Sequence, residues 1–370
     1  MSDLYFAYGS NTDLPHLEAW CANNGYGNGL FRPIGVMELA DVELAFNHYS
    51  TSRRGGTLNL RLLRGNLLQG LVLEVLSPQG WAALDRKEGV TAGAYRREQR
   101  QAIGPRGTAI AVTTYIASPK DECAYQPPAT GYVDSVRAGY TAFGLDTGAL
   151  DAAAAGQMVQ PNIDAVFTYG TLLRGEERAG AVSAGAPSCI LLAHAPGLLV
   201  DLGAFPAMLL DDAGRGEITR VDGEFVRFPT ISDTLALLDG IEGAPLYGGT
   251  GGLYRRTVVM VGVGDGRIRP AWTYVMDDAQ VLSRPVVASG CWRSRNGRRV
   301  ASLLEIARAH HACQPDFFER LVGEARHPFQ PAMEPGFSLT IEGVAQAMGT
   351  GELSERSVAR ASSNWAIQIR

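Results

Sequence analysis

The sequence is poor in the residues that build metal sites and disulfide frameworks. Its six histidines form no HxH or HExxH arrangement, and its five cysteines form no CxxC pair. Cysteines that are this scattered, and odd in number, argue against a zinc knuckle or a disulfide scaffold, so we predict a reducing compartment and no metal. The cysteines are Cys21, Cys123, Cys189, Cys291 and Cys313.

The sequence also lacks an excess of basic charge and a long apolar run. The sequence has 33 Lys and Arg against 38 Asp and Glu, a formal net charge of -5. It therefore lacks the excess of basic residues that is typical of proteins that bind nucleic acid. The most apolar stretch, residues 189–210, is broken by His194, Pro196, Asp201 and Pro206, so it predicts core strands rather than a membrane span. The first residues lack the basic and apolar regions of a signal peptide. These absences predict a cytoplasmic protein without nucleic-acid or membrane partners.

What the sequence does contain is an internal repeat. An apolar run ends in Tyr-Gly at residues 8–9, within LYFAYGSN, and again at residues 169–170, within AVFTYGTL, 161 residues later (169 − 8). A Leu-Asp pair followed by Glu-Gly and then Tyr-Arg also occurs twice, with its glutamates at Glu88 and Glu242, 154 residues apart (242 − 88). Two ordered motifs at nearly the same offset indicate a tandem duplication.

The repeat sets the predicted domain boundaries. Residues 150–162 are small, partly polar and contain Pro161, a composition typical of a linker or of a last helix followed by one. We predict a first domain over residues 1–151, a second over 163–297, and a helical extension with an amphipathic pattern over 298–370.

Short strand patterns dominate both halves. Helical spacing marks residues 14–22, after the first Tyr-Gly pair, and the segments 77–89 and 231–243 that lead into the two glutamates. Many short strands with glycine turns predict an α+β fold, in which each half is a small, mostly antiparallel β-barrel or sheet with flanking helices. The predicted strand segments include 42–47, 57–63, 69–76 and 108–117 in the first half, and 207–212, 221–228, 256–263 and 271–276 in the second.

A strand that ends on Tyr-Gly can form a small cradle for an anion. Glycine lets the backbone turn and approach a ligand, and a helix that starts just after it presents free backbone N–H groups. Ser10, Asn11 and Thr12 are the candidate caps of that helix. Because the bend occurs twice, a site for a carboxylate or an oxyanion is favoured over a plain turn.

The two glutamates are candidate general bases. Each ends an apolar helix, where the negative end of the helix dipole disfavours an acid. A function would explain why an acid stands there twice, since a partly buried carboxyl has a raised pKa and can move protons near neutrality. The sequence offers no GxSxG serine motif, and the glycine-rich segment 244–254 lacks the GK[ST] of a phosphate loop.

YGSN, followed about eighty residues later by LDRKEGVTAGAY, resembles γ-glutamylcyclotransferase. The second half, with YGTL, LDGIEG, FPAM and SGCWR, is similar to the AIG2-like and γ-glutamylamine cyclotransferase branch of the same superfamily. The resemblance covers residues 4–145 and 165–293 and leaves the C-terminal extension outside it.

This resemblance implies a protein that closes a γ-glutamyl amide into 5-oxoproline and releases a free amine, without a metal or organic cofactor. The implied partner is a small-molecule γ-glutamyl substrate. Glu88 and Glu242 would be catalytic, each taking a proton from the α-ammonium and returning one to the leaving nitrogen. The implied substrate-binding residues are Tyr8, Gly9, Ser10, Asn11 and Tyr95 in the first repeat, and Tyr169, Gly170, Thr171, Leu172 and Tyr254 in the second.

The repeats differ, and several readings stay open. Leu172 replaces Asn11, and the loop from the glutamate to the tyrosine takes 12 residues in the second repeat (254 − 242) against 7 in the first (95 − 88). Both repeats could be active on different substrates, or one could be a degenerate partner. The alternative functions are a non-catalytic γ-glutamyl-binding or regulatory protein, and a glutamyl transferase or hydrolase on the same fold. The sequence specifies neither the amine portion of the substrate nor the oligomeric state.

Overall fold

The structure is a computed structural model that describes residues 3–118, 124–210, 220–245, 252–276, 281 and 284–297. The predicted helical extension over 298–370 lies outside the described residues, as do Cys123 and Cys313. The strands are β1 Leu4–Ala7, β2 Phe31–Ser50, β3 Gly55–Val75, β4 Tyr95–Ile103, β5 Ala109–Ala117, β6 Ala165–Thr168, β7 Cys189–Pro196, β8 Leu198–Asp201, β9 Pro206–Leu209, β10 Arg220–Arg227, β11 Arg255–Val263 and β12 Ile268–Val275. The α-helices are α1 Leu14–Asn23, α2 Pro78–Lys87, α3 Tyr132–Phe143, α4 Gly148–Ala154, α5 Ala179–Ala184 and α6 Ile231–Glu242, and 3₁₀ helices span Ser10–Thr12, Pro105–Gly107 and Trp292–Gly297.

Ten of these strands form two closed barrels of five strands each. Read from the strand that precedes Tyr-Gly, both barrels have the same neighbour order, β1-β5-β4-β2-β3 and β6-β12-β11-β7-β10. The parallel pair falls at the same place in each barrel, β1 with β5 and β6 with β12, whereas β2 with β3 and β4 with β5 are antiparallel. The predicted α+β fold with tandem barrels is confirmed.

Single hydrogen bonds also recur between the barrels. Thr114 on β5 donates its hydroxyl to the Phe6 carbonyl oxygen at 3.0 Å, and Thr273 on β12 donates to the Phe167 carbonyl oxygen at 3.0 Å. In both barrels, therefore, a buried threonine hydroxyl supplements the backbone bonds of the parallel pair.

The apolar run of β1 is continuous because this strand is buried on both faces. Phe6 packs into a cluster that includes Tyr140 of α3, and Tyr5 packs into a second cluster that includes Leu17 of α1 and Leu84 of α2. Successive side chains of a strand point to opposite faces, so two cores call for apolar residues at every position. Cys21 of α1 is fully buried in the second cluster.

Three local features differ from the sequence expectations. The predicted strands 57–63 and 69–76 belong to one strand, β3. Strand β3 pairs with β2 along a long antiparallel hairpin, which stays continuous although the pairing register shifts at three places. The cap of α1 is Asp13, whose Oδ1 accepts the backbone N–H of His16 at 3.1 Å; Ser10 to Thr12 form a 3₁₀ turn before it and do not cap the helix. Helix α3 was not predicted, although its buried residues Tyr132, Val136 and Tyr140 recur every four positions.

The chain divides into two compact units, and the predicted domain boundaries stay a prediction. The first unit holds the described residues up to Ala165, with 184–188 and 227–258; the second holds 166–183, 189–226 and the described residues from Val259 on. Helix α6 and the first residues of β11 therefore belong to the first unit. Within the described ranges, no helix is long and apolar enough to cross a membrane.

Candidate active site

The tyrosine of each Tyr-Gly pair is an anchor inside its barrel. The Tyr8 hydroxyl donates to the carbonyl oxygen of Tyr115 at 2.6 Å, and the backbone oxygen of Tyr8 accepts the Tyr140 hydroxyl at 2.8 Å. Tyr169 repeats the first of these bonds, donating to the carbonyl oxygen of Tyr274 at 2.7 Å. The strand end needs this residue because its buried hydroxyl ties β1 to β5, and β6 to β12.

The glycine is followed by a tight turn that packs closely on α3. The backbone N–H and hydroxyl of Thr12 both donate to the Gly9 carbonyl oxygen, at 3.0 and 2.8 Å. Gly139 of α3 lies so near that a Cβ there would stand 2.4 Å from the backbone nitrogen of Asp13 and from the carbonyl carbon of Thr12. Helix α3 can therefore pack this closely against the turn only because residue 139 has no side chain.

Asn11 joins this turn to the first candidate acid. Its side chain is 3% exposed, and its Nδ2 donates to the Tyr5 hydroxyl at 2.8 Å and to Glu88 Oε1 at 2.7 Å. The two motifs that the sequence singled out in the first repeat, 77 residues apart, thus meet through a direct side-chain hydrogen bond.

The Glu-Gly pair has a local reason that is independent of chemistry. Glu88 is the C-cap of α2, Gly89 follows in the left-handed region at φ 65°, and the N–H of Val90 donates to the Asp85 carbonyl oxygen at 2.9 Å. This is a Schellman closure, in which glycine avoids the strain of a positive φ. Helix α6 ends in the same way, with Gly243 at φ 59°. The closure accounts for the glycine, because the position after the C-cap has a positive φ. It does not account for the glutamate, whose side chain takes no part in the closure.

The surroundings of Glu88 make its carboxyl a weaker acid. Its side chain is half-buried, and burial raises the pKa above the ordinary value, against the ammonium of Lys87, the hydrogen bond from Asn11 and the guanidinium of Arg53, which lower it. Lys87 lies with its Nζ 5.7 Å from the ring centroid of Trp20. A carboxyl in this setting can hold a proton at a higher pH than an exposed glutamate.

Two tyrosines line the same region. The Tyr95 hydroxyl donates to the carbonyl oxygen of Leu58 at 2.7 Å, so this predicted site residue is held within the barrel. Tyr132, which the sequence analysis did not single out, has its pKa raised to about 12 by burial and by the charge of Glu88. The guanidinium of Arg53 lies 5.1 Å from the centroid of the Tyr132 ring and brings a cation to this side of the site.

A half-buried ion pair holds the end of α2 that carries Glu88. Arg97 binds Asp85 with both arms of its guanidinium, Nε to Oδ1 at 2.6 Å and Nη2 to Oδ2 at 2.7 Å, and the Tyr115 hydroxyl donates to Oδ1 at 2.8 Å. Asp85 precedes Glu88 by three residues, so these bonds fix the last turn of the helix. Asp85 and Arg97 were not predicted as site residues, although the repeated Leu-Asp pair and the arginines after the repeated tyrosine are visible in the sequence.

The predicted residues of the second repeat fall in different units. Glu242, the last residue of α6, is 7% exposed, and both it and the buried Tyr254 belong to the first unit. Residues 169–172 are buried in the second unit, and that unit also holds a buried acid, Glu224, that the sequence did not suggest. Glu224 is 2% exposed and accepts the backbone N–H and the Nε of Arg174 at 3.1 and 3.0 Å. The segment just after YGTL is thus clamped by a buried carboxylate.

Within the part of the chain that the structure describes, no group of three or more His, Cys, Asp or Glu side chains is arranged to hold a metal ion.

Comparison with known proteins agrees with part of the sequence-based resemblance. Residues 166–294 match the family model described as gamma-glutamyl cyclotransferase, AIG2-like. No curated protein matches the chain. The predicted similarity of the second half to the AIG2-like branch is thus supported over these residues, and the likeness of the first half to γ-glutamylcyclotransferase stays a prediction.

Several solved structures are similar to the chain. One described as gamma-glutamyl cyclotransferase shares 23% identity, covering 43% of this chain and 88% of that one, at a TM-score of 0.35. The uncharacterized protein loc79017 from Homo sapiens shares 25% identity over 43% of this chain and 88% of its own, at a TM-score of 0.33. YkqA from Bacillus subtilis shares 15% identity over 87% of this chain and 96% of its own, at a TM-score of 0.27.

Proposed function

We propose that this protein is a γ-glutamyl cyclotransferase, which cleaves a γ-glutamyl amide to 5-oxoproline and a free amine. The observation that carries the proposal is the 2.7 Å hydrogen bond from Asn11 Nδ2 to Glu88 Oε1, since it holds a half-buried acid against the Tyr-Gly bend. The AIG2-like match of residues 166–294 supports the same class of reaction.

The reaction needs little beyond a folded substrate and one carboxylate. Glu88 takes a proton from the substrate α-ammonium, and the amine formed attacks the γ-carbonyl carbon to close a five-membered ring. Glu88 then returns a proton to the leaving nitrogen as the old C–N bond breaks, so that protons balance without water, metal or organic cofactor. Holding the chain in the folded-back geometry contributes up to about 7–11 kcal/mol.

The described contacts support the remaining proposed roles in the first repeat. Asn11 Oδ1 is buried and has no hydrogen-bond partner among the described residues, and in our proposal it accepts from the substrate α-ammonium. We also propose that the backbone N–H groups of Gly9, Ser10 and Asn11 donate to the substrate carboxylate and to the developing oxyanion. Tyr8 contributes through its backbone, because its hydroxyl is already bonded within the barrel, and Tyr95 bounds the pocket.

For the second repeat we propose, within the first unit, Glu242 as an acid and Tyr254 as a pocket-wall residue, and, within the second unit, the bend of residues 169–172 as an anion-binding cradle. Leu172 offers no amide where Asn11 stands in the first repeat. We therefore propose that the two repeats accept different γ-glutamyl compounds.

Purified protein is expected to release 5-oxoproline from at least one γ-glutamyl amino acid, peptide or amine, measured by mass spectrometry across a panel. The matched control is the α-glutamyl isomer of the best substrate, which has no γ-amide to open and is expected to stay intact. Glutamate in place of 5-oxoproline would identify a hydrolase or transferase. Binding of γ-glutamyl compounds without any turnover would identify a binding protein.

The acid limb of the first repeat's pH profile is expected above the ordinary glutamate range, because burial raises the pKa of Glu88 and the base must be unprotonated to act. Replacing Lys87 with Met removes a cation that lowers this pKa, so the limb of kcat/KM moves to higher pH. Lys87→Arg keeps the charge and is expected to leave the limb in place. If Lys87→Met leaves the acid limb of kcat/KM at the same pH as in the parent, Glu88 is not the base.

A further inference from the structure

The aspartate of each Leu-Asp–Glu-Gly motif binds an arginine at the start of the next long strand. Asp85 on α2 binds Arg97 on β4, and Asp239 on α6 binds Arg256 on β11 with Nε to Oδ1 at 2.9 Å. Both aspartates precede the candidate acid by three residues. The same ion pair thus steadies the helix end that carries the acid in both repeats.

The two arginines differ in what else they bind. Arg97 closes both arms of its guanidinium on the single carboxylate of Asp85. Arg256 pairs instead with two carboxylates: its Nε forms an ion pair with Asp239, and its Nη2 donates to Oδ2 of Asp41, a residue of β2 in the first barrel. Arg256, Asp239 and Asp41 have side chains that are 5%, 2% and 0% exposed. The second repeat's clamp therefore includes a carboxylate from the first repeat, within the first unit.

The backbone position and the hydrogen bonding of Asp41 favour its contact with Arg256. It stands at a register shift of β2, between Ala40 and Val42, in the left-handed region at φ 63°. Its Oδ1 accepts the backbone N–H of Gly65 at 2.8 Å, which leaves Oδ2 for Arg256. A fully buried carboxylate is costly without a cation, and Arg256 supplies that cation.

The opposite end of α6 meets the first barrel as well. The Ser232 hydroxyl donates to the carbonyl oxygen of Arg64 at 2.7 Å, and a Cβ on Gly65 would lie 3.1 Å from the side chain of Ile231. The helix that ends in Glu242 is therefore held by the β2–β3 hairpin at its beginning and through Arg256 near its end.

We propose that Asp41 of the first repeat is a positioning residue for Glu242 of the second, acting through Arg256 and Asp239. The inference rests on the proposed function, in that Glu242 is the acid of the second repeat. In this proposal the position of Glu242 depends on a carboxylate of the first barrel, Asp41. The corresponding ion pair in the first repeat, Asp85 with Arg97, lies entirely within that repeat.

The test is Asp41→Asn in the full chain carrying Glu88→Gln, so that turnover reports the second repeat alone. Asparagine tolerates the left-handed backbone and keeps an acceptor for Gly65, so only the charge toward Arg256 is lost. The kcat of the second site is expected to fall about 10- to 100-fold with KM little changed, because the acid is displaced while the binding bend is untouched. Amide hydrogen exchange of residues 231–242 is expected to become faster.

The matched control is Glu43→Gln, which removes a buried acid two residues along the same strand, where it pairs with Arg61 and not with Arg256. It is expected to leave the second-site kcat and the exchange of α6 unchanged. If Asp41→Asn also changes neither quantity, the inference is wrong even though Glu242 is active. If the Glu88→Gln parent has no turnover, the proposed function of the second repeat fails, and the exchange of α6 alone decides the role of Asp41.

Discussion

Glu88→Gln is expected to lower turnover by the first repeat about 10²–10⁴-fold, the usual contribution of a positioned general base. The amide of Gln has nearly the shape of the carboxyl and keeps an oxygen for the Asn11 Nδ2–H, so the bond that joins the bend to α2 survives while proton transfer is lost. The measurement is 5-oxoproline release in a Glu242→Gln parent, which confines turnover to the first repeat.

The control for this prediction is Glu74→Gln, the same chemical change in the exposed ion pair of Glu74 with Arg32 on β3 and β2. An exposed pair contributes about 0–1 kcal/mol, so both turnover and thermal stability are expected to stay near the parent values. Unchanged turnover in Glu88→Gln, with the thermal midpoint intact, would remove Glu88 from the mechanism.

Gly139→Ala is expected to destabilise the protein and to disturb the first site together. The new Cβ would lie 2.4 Å from backbone atoms of Thr12 and Asp13, and a backbone cannot swing aside as the end of a flexible side chain can. Overpacking of this kind costs about 1–3 kcal/mol. Because the clash is with backbone atoms, we expect the upper part of this range, about 2–3 kcal/mol, and alanine returns about 1 kcal/mol of helix propensity, so the net change is a loss of about 1–2 kcal/mol. We expect the turn that carries Asn11 to shift and relieve part of this strain. That shift is expected to lower turnover by the first repeat.

Gly240→Ala is the matched control, since Gly240 also lies in an α-helix but is exposed, and a Cβ there would meet nothing within 4 Å. Helix propensity alone then predicts a gain of about 0.5–1 kcal/mol. Thermal unfolding followed by circular dichroism gives the two midpoints, and 5-oxoproline release gives the activity. A midpoint for Gly139→Ala at or above that of the parent would show that the contact between α3 and the turn is not tight.

The elements that sequence reasoning located are those that carry their own local pattern. Helices α2 and α6 were predicted from the spacing of their apolar residues up to the glutamates, and β5, β10, β11 and β12 from short apolar runs. The Tyr-Gly bend and the Glu-Gly closure were visible because each occurs twice. Helix α3 was missed, since its glycine and hydroxyl residues weaken the apolar pattern that its four-residue spacing would otherwise show.

What the sequence alone determined is the duplication, the α+β class and the pair of motifs from which a candidate site could be assembled, because periodicity and repetition are local properties of a chain. Only the tertiary structure decided that Asn11 reaches Glu88, that Asp85 closes on Arg97, and that Arg256 divides itself between Asp239 and Asp41. These contacts join residues from 12 to 215 positions apart. Which charge meets which across such distances depends on how the barrels and helices pack, since any buried acid could in principle be neutralised by any of the chain's arginines.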